Sequence, residues 1–301
     1  MIARKRNTMK IAASVILYNP DKNTISNIKT YNKYFSKIFV FDNSTKTSDV
    51  QNEIANIENV ALFQNFENEG ISIRLNQACE KAITEGFEWI ITMDQDSFFE
   101  KETLEKYLKA FYDFENKETV SQFGCNYEQN NPKALINEND FIEVDIMITS
   151  GSLLNLKLFN TIGKFDTAYF IDQVDHDYCI RAKLMNYKTI MFPNITLSHV
   201  IGKVEKVASF ATLYLLKKNR TVHGALRCYY IKRNILYLSN KFNATQIPVI
   251  MKLNKIAKYH LKQCLLYNGE YWKTRYYLKK ANNDFLACKM GKISALNLKK
   301  E

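Results

Sequence analysis

Two carboxylates two residues apart, Asp94 and Asp96, follow the apolar run Trp89–Thr92 in the stretch WIITMDQDSFF. Hard divalent cations prefer oxygen ligands, and Mg²⁺ is typically held by one or two carboxylates plus substrate phosphates. At the carboxyl end of a buried strand, this spacing suits a metal–diphosphate site. A polar connection in which Asp96 or Ser97 caps the next helix is the plainer alternative. A second acidic group, Asp172, Asp175 and Asp177, crowds the start of a helix expected over Val174–Met185, where the helix dipole favours negative charge. One cluster can hold a metal while the other supplies a base, although an acid-rich helix start needs no chemical role. Asp172 and Asp175 are expected to share a face, and Arg181 to pair with Asp177 on the surface side. Val174, Tyr178, Ala182 and Met185 form the expected buried stripe.

Other candidates are less distinctive. Asp42, at the tip of the strand KIFVFD, is placed to hold a ribose or base, but Asp-Asn-Ser is also ordinary turn chemistry. Gly151, in Thr-Ser-Gly-Ser, permits close backbone approach to a ligand or simply makes a turn. His199 could complete a Mn²⁺-type site as a neutral imidazole or be structural. In RTVHGALRCYYIKRN, Arg220, Arg227, Lys232 and Arg233 alternate with Tyr229 and Tyr230. Arginine suits bidentate phosphate contact; an exposed basic helix face is the alternative.

The elements that must position these residues follow from periodicity. Ile11–Tyr18, Lys37–Asp42, Val60–Gln64 and Trp89–Met93 are expected strands, separated by helices over Thr24–Tyr34 and Ile71–Glu85. Near-continuous apolar strands alternating with helices imply a mostly parallel α/β sheet covered on both faces. Neither GxGxxG nor GxxxxGK[ST] occurs, so phosphate charge must be met by a metal and basic side chains. After a helix over Glu102–Phe114, strands are expected at Val120–Tyr127, Phe141–Thr149, Thr189–Phe192 and Thr196–His199.

The 301 residues are 46% hydrophobic with a net charge of +11, a globular composition with a bias toward an anionic partner. Six scattered cysteines without a CxxC pair suggest core filling in a reducing compartment. The basic start followed by Ile11–Tyr18 imitates a signal peptide but is expected to be the first strand. No run reaches the length of a spanning helix. From Lys252 onward, twelve Lys and Arg face three acids among many aromatics. Two basic helices there could lie on an anionic membrane surface, bind nucleic acid, or simply pack. No nucleic-acid motif supports the second choice.

Several segments, in order over about residues 11–234, resemble family 2 inverting glycosyltransferases of the GT-A fold, in particular the bacterial rhamnosyltransferase-like branch. They are SVILYNPD, VFDNS, Glu69-Gly70-Ile71 with Asn76, TMDQDS, TSGSLL, IGKFDTAYFIDQVDHDYCIRA, LSHVIG and RCYYIKRN. The resemblance implies a glycosyltransferase domain over residues 1–235 and a basic, aromatic helical extension over 236–301. It implies that Tyr18 and Asp42 hold the nucleoside and that Asp94 and Asp96 bind Mg²⁺ or Mn²⁺ on the donor diphosphate, Asp96 most directly. His199 would close that site and Asp175 would be the general base. Asn76, Gly151 and Asp172 would line the substrate, and Arg227, Tyr229, Tyr230 and Arg233 would steady the leaving diphosphate. Arg74, where the family usually has a small residue, and Asp177, where Glu is commoner, depart from the pattern.

The implied reaction is a single displacement with inversion. L-Rhamnose from dTDP-rhamnose passes to a saccharide or lipid-linked saccharide, in cell-surface polysaccharide synthesis. A UDP-hexose donor is the nearest alternative. The expected place is the cytoplasm or the inner face of the membrane, with no nucleic-acid partner and with a homo-oligomer compatible. A phosphatase with an aspartyl nucleophile also places Asp-x-Asp after a strand, but usually near the N-terminus. A basic, non-enzymatic membrane adaptor would leave both aspartate clusters idle.

Overall fold

The computed structural model describes residues 9–100, 102–127, 140–199, 204–208, 217–243 and 247–294. The chain divides into two compact units: Met1–Asp166 with Asp175–His199, and Thr167–Val174 with Val200–Glu301.

The first unit begins with Ile11–Leu17 (β1), buried along its whole length. Lys22–Tyr31 (α1) follows, capped by Asp21, whose carboxylate accepts from the backbone N–H of Asn23 and Thr24. Next come Ile38–Asp42 (β2), Asp49–Ala55 (α2), Val60–Gln64 (β3), Ile71–Thr84 (α3) and Trp89–Asp94 (β4). β1 pairs in parallel with both β2 and β4, and β2 with β3. The winding therefore reverses between β1 and β4, the place where open α/β sheets bind ligands outside their carboxyl ends. Ile11, Ala13, Val15 and Leu17 pack with Trp89, Ile91, Met93 and the α1 residues Ile25, Ile28 and Tyr31. The alternate residues Ala12, Ser14 and Ile90 are equally buried, on the other face. Burial on both faces is why these strands are apolar without alternation.

The sheet continues through Ser97–Phe98 (β5), Val120–Tyr127 (β6), Ile142–Glu143 (β7), Ser152–Asn155 (β8) and Lys188–His199 (β9), with Thr103–Asp113 (α4), Leu156–Ile162 (α5) and Val174–Leu184 (α6) between them. The order is β3-β2-β1-β4-β8-β6-β9-β5, with β7 also on β9. β8 is antiparallel to both β4 and β6, and β6 is parallel to β9.

Three expected strands differ. Phe141–Thr149 keeps only Ile142–Glu143 in the sheet, while Met147 turns inward over Gly124, where a Cβ would lie 1.8 Å from its Sδ. The strand that pairs with β4 comes after the turn, at Ser152. The two short strands around Pro193 are one strand. Its register against β6 jumps from Cys125–Phe192 to Asn126–Thr196, so the proline, which cannot donate to the ladder, sits in a bulge.

In the second unit, Val204–Ala208 (β10) and Lys217–Thr221 (β11) form an antiparallel pair. Ala225–Lys241 (α7) and Tyr271–Leu286 (α9) pack around Tyr229, Tyr230, Tyr277 and Ala281, and Pro248–Tyr267 (α8) packs against both helices. Among the described residues, no helix is long and apolar enough to cross a membrane. All six cysteines are free thiols, and Cys288 alone is exposed.

Candidate functional site

The paired aspartates sit at the reversal point. Ile16 of β1 lies beside Asp94 of β4, and the residue between the two acids staples the strand ends together. The Gln95 side chain accepts from Tyr18 N at 2.8 Å and donates to Tyr18 O at 3.2 Å. Its backbone carbonyl accepts from Asn27 Nδ2 at 2.9 Å. From the other side, Ser150 Oγ accepts from Asp94 N at 3.1 Å and donates to Ser97 Oγ at 2.7 Å. Asp94 and Asp96 are both half-buried. Neither Asp96 nor Ser97 caps the next helix: α4 has Glu102 at its N-cap, without a side-chain bond. Burial, then the Asp94 charge, push the Tyr31 hydroxyl well above its usual range. Ser97 pairs with His199 in the β5–β9 ladder, while the side chain of His199 lies outside the described residues.

These carboxylates supply an all-oxygen donor pair suited to Mg²⁺ or Mn²⁺, with the remaining positions left to water and phosphate. Among the described residues, no group of three or more His, Cys, Asp or Glu could cage a metal without substrate.

Around them, several expected contacts have structural duties. Tyr18 is 53% exposed, so its ring is available to a ligand. Asp42 is fully buried and accepts from Ser44 N, Gln51 Nε2 and Gln64 Nε2, so its carboxylate braces the end of β2. Asn76 donates to Phe165 O and accepts from Phe165 N, both at 2.9 Å, so its amide is a strut between α3 and the 162–166 segment. Arg74 is buried, bonding Asn43, Asn65, Gln77 and the carbonyls of Asp42 and Glu67; it braces the loop beyond β2. Gly151 has φ +75°, and a Cβ there would meet Cys125 Sγ at 2.9 Å. Its carbonyl accepts from the Tyr107 hydroxyl. The glycine is required by the turn and its packing.

The second acidic group is sorted by burial. Asp177, expected at the surface, is fully buried and pairs with Arg181 at 2.7 Å. Arg181 also donates to the carbonyls of Ile162, Gly163 and Lys164, so the pair ties α6 to the loop after α5. The surface reading fails because the helix face carrying Asp177 meets that loop. Met185, placed in the buried stripe, is 44% exposed because α6 ends at Leu184. Asp175 is half-buried, accepts from the adjacent His176 N at 2.9 Å, and has no cationic partner among the described residues. One turn later, Cys179 Sγ accepts from Gln122 Nε2 at 2.7 Å. Burial, then the Asp175 charge, push that thiol up to about 12.

Within the first unit, the topology sets Asp175 toward the sheet edge that carries Asp94 and Asp96. β4, β6 and β9 run the same way. A three-residue turn joins the end of α6 to the start of β9, so α6 runs back along these strands and its start points toward their carboxyl ends. Gln122 is level with Leu154, and Leu154 with Ile90. One helical turn, roughly 6 Å, lifts Asp175 from there to about the level of Thr92. Two strand spacings, about 10 Å, separate it laterally from β4. A cavity of about 550 Å³ near Phe114, Phe141 and Lys188 touches none of these acids.

In the second unit, Asp172 does not share a helical face with Asp175: it precedes α6, with φ +65°, and Gln173 follows at φ +67°. Such a pair of left-handed non-glycine residues is strained. It is held by Arg227, which pairs with Asp172 at 2.7 Å, and by Asn234, whose amide donates to the carbonyls of Ile171 and Asp172. Asp172 Oδ2 and Arg227 Nε are buried without hydrogen-bond partners. Arg233 and Tyr230, expected at a diphosphate, are interior. Arg233 is 1% exposed and donates to Asn234, the Tyr229 hydroxyl, Lys289 O and Gly291 O. Tyr230 is stacked on Phe170 and accepts from Ile293 N. Both side chains are buried, so neither is presented at the surface to a diphosphate. Gln95, Ser150 and Asn234, which carry the geometry, were missed because each looks like a spacer between more reactive neighbours.

A doubly wound sheet with carboxylates at its reversal point, continued by antiparallel strands, is the GT-A class of fold. The chain belongs to glycosyl transferase family 2, whose sequence profile it matches over residues 22–184. It is 28% identical over 268 residues to the dTDP-rhamnosyl transferase RfbF of Shigella flexneri, covering 82% of this chain and 84% of that one. The crystal structure of GalNAc-T7 with UDP, GalNAc and Mn²⁺ is similar with a TM-score of 0.54 at 10% identity, over 94% of this chain and 58% of that one. Staphylococcus aureus TarS 1–349 gives a TM-score of 0.48 at 14% identity, over 64% of this chain and 60% of that one. This chain therefore spans about three-fifths of each solved structure, and the likeness to GalNAc-T7 is one of fold.

Proposed function

We propose that this glycosyltransferase transfers L-rhamnose from dTDP-rhamnose, with inversion, to a saccharide or lipid-linked saccharide of a cell-surface polysaccharide. The observation that carries the chemistry is the common sheet edge of Asp94, Asp96 and Asp175. The donor sugar rests on the similarity to the Shigella flexneri transferase.

Asp94 and Asp96 would hold a divalent cation, which supplies Lewis-acid stabilisation of charge on the donor diphosphate. Tyr18, tied to Gln95, borders the nucleoside. Asp175 accepts the proton of the acceptor hydroxyl as its oxygen bonds to the anomeric carbon and the bond from that carbon to the diphosphate oxygen breaks, releasing dTDP. The lateral gap of about 10 Å leaves room for sugar and acceptor between the metal-binding carboxylates and the base.

The second unit suits the inner surface of a membrane. Its aromatics Tyr259 and Trp272 are 66% and 78% exposed on helices rich in lysine.

Release of dTDP from dTDP-rhamnose in the presence of Mn²⁺ and a saccharide acceptor tests the reading. Chelation should abolish release and Mn²⁺ restore it. Asp96→Ala should weaken donor binding, whereas Asp175→Asn should bind donor normally and transfer at least a hundredfold more slowly. Normal transfer by both variants would refute the assignment.

A further inference from the structure

A groove of about 560 Å³ opens between α7, α8 and α9 in the second unit. Five lysines surround it: Lys232 from α7, Lys255, Lys258 and Lys262 from α8, and Lys279 from α9. The three on α8 are spaced three and four residues apart and so lie on one face. Among the described residues, none of the five has a carboxylate partner. The imbalance extends beyond the groove. The three helices carry twelve Lys and Arg and one acid, Asp284, which is already paired with Lys280 and with the Tyr229 hydroxyl.

The groove is nevertheless not a polar surface. Leu261, Leu265 and Leu278 line it together with Ile235. Cations around an aliphatic floor match a ligand that is anionic at one end and aliphatic at the other. A single-stranded nucleic acid would need aromatic faces for stacking, and no aromatic residue lines the groove.

We propose that this groove binds the phosphate headgroup of an anionic membrane lipid, with the first carbons of its chains against the leucine floor. The inference depends on the membrane reading above for the source of the phosphate, and on no assumption about the transferase site.

The test is sedimentation of the full chain with phosphatidylglycerol–phosphatidylcholine vesicles. The groove variant is Lys255→Gln, Lys258→Gln and Lys262→Gln together. The control carries Lys252→Gln, Lys289→Gln and Lys292→Gln, which are exposed in the same unit and outside the groove. The groove variant should bind roughly a hundredfold more weakly and the control only slightly more weakly than the parent. Equal losses in the two variants, or none in the groove variant, would overturn the groove while leaving a diffuse membrane contact. Failure of the parent chain to bind vesicles would overturn both readings. Thermal stabilisation by inorganic pyrophosphate without vesicle binding would assign the groove to a free diphosphate.

Discussion

Asp175 and Asp177 lie two residues apart in the first turn of one helix, and their surroundings give them opposite duties. Asp177 is sealed against Arg181, so removing its charge leaves a half-buried guanidinium without its carboxylate. Asp177→Asn should lower stability by about 3 kcal/mol, read as a shift in the urea midpoint at unchanged slope. Asp175 carries no such burden. Asp175→Asn should leave the midpoint within about 0.5 kcal/mol of the parent while transfer collapses. Loss of stability in the second variant would mean that Asp175 holds the fold and does not serve the chemistry.

The site at the scale of elements is a set of strand ends drawn together by turns. Gln95 joins β4 to β1, and the Thr149–Ser152 turn supports Asp94 from behind. That turn depends on a residue without a side chain, since Gly151 combines a left-handed φ with a 2.9 Å approach to Cys125 Sγ. Gly151→Ala should cost roughly 2 kcal/mol, with a matching drop in melting temperature. Entry into α6 is held in another way. Asn234 and Arg227 fix the strained Asp172–Gln173 turn from α7. Asn234→Ala removes two of those bonds and should cost about 2 kcal/mol, measurable as faster hydrogen exchange at residues 171–174.

The whole chain contains two units, each with its own apolar cluster. A lesion in one core should therefore be felt mainly within its unit. Arg233→Met strips hydrogen bonds from Lys289 O, Gly291 O and the Tyr229 hydroxyl. Hydrogen exchange should rise across α7, α8 and α9 while β1 and β4 keep their protection. Uniform loss of protection would show that the two cores unfold as one.

Wherever the physics is local, the sequence by itself determined the outcome. Apolar strands without alternation declared a sheet covered on both faces, and the acids at a strand end and a helix start marked candidate chemistry. Tertiary structure alone decided which of those residues remain available. Tertiary packing took Arg233 to Gly291, Tyr230 to Ile293 and Asp42 to Gln64, and it sealed the local Asp177–Arg181 pair against the loop after α5. It also replaced the strand expected at Phe141–Thr149 with one beginning at Ser152, where pairing to β4 outweighed local propensity. Hydrogen bonds and packing between distant segments leave no periodic trace along the chain, so availability could be assigned only once those segments were brought together.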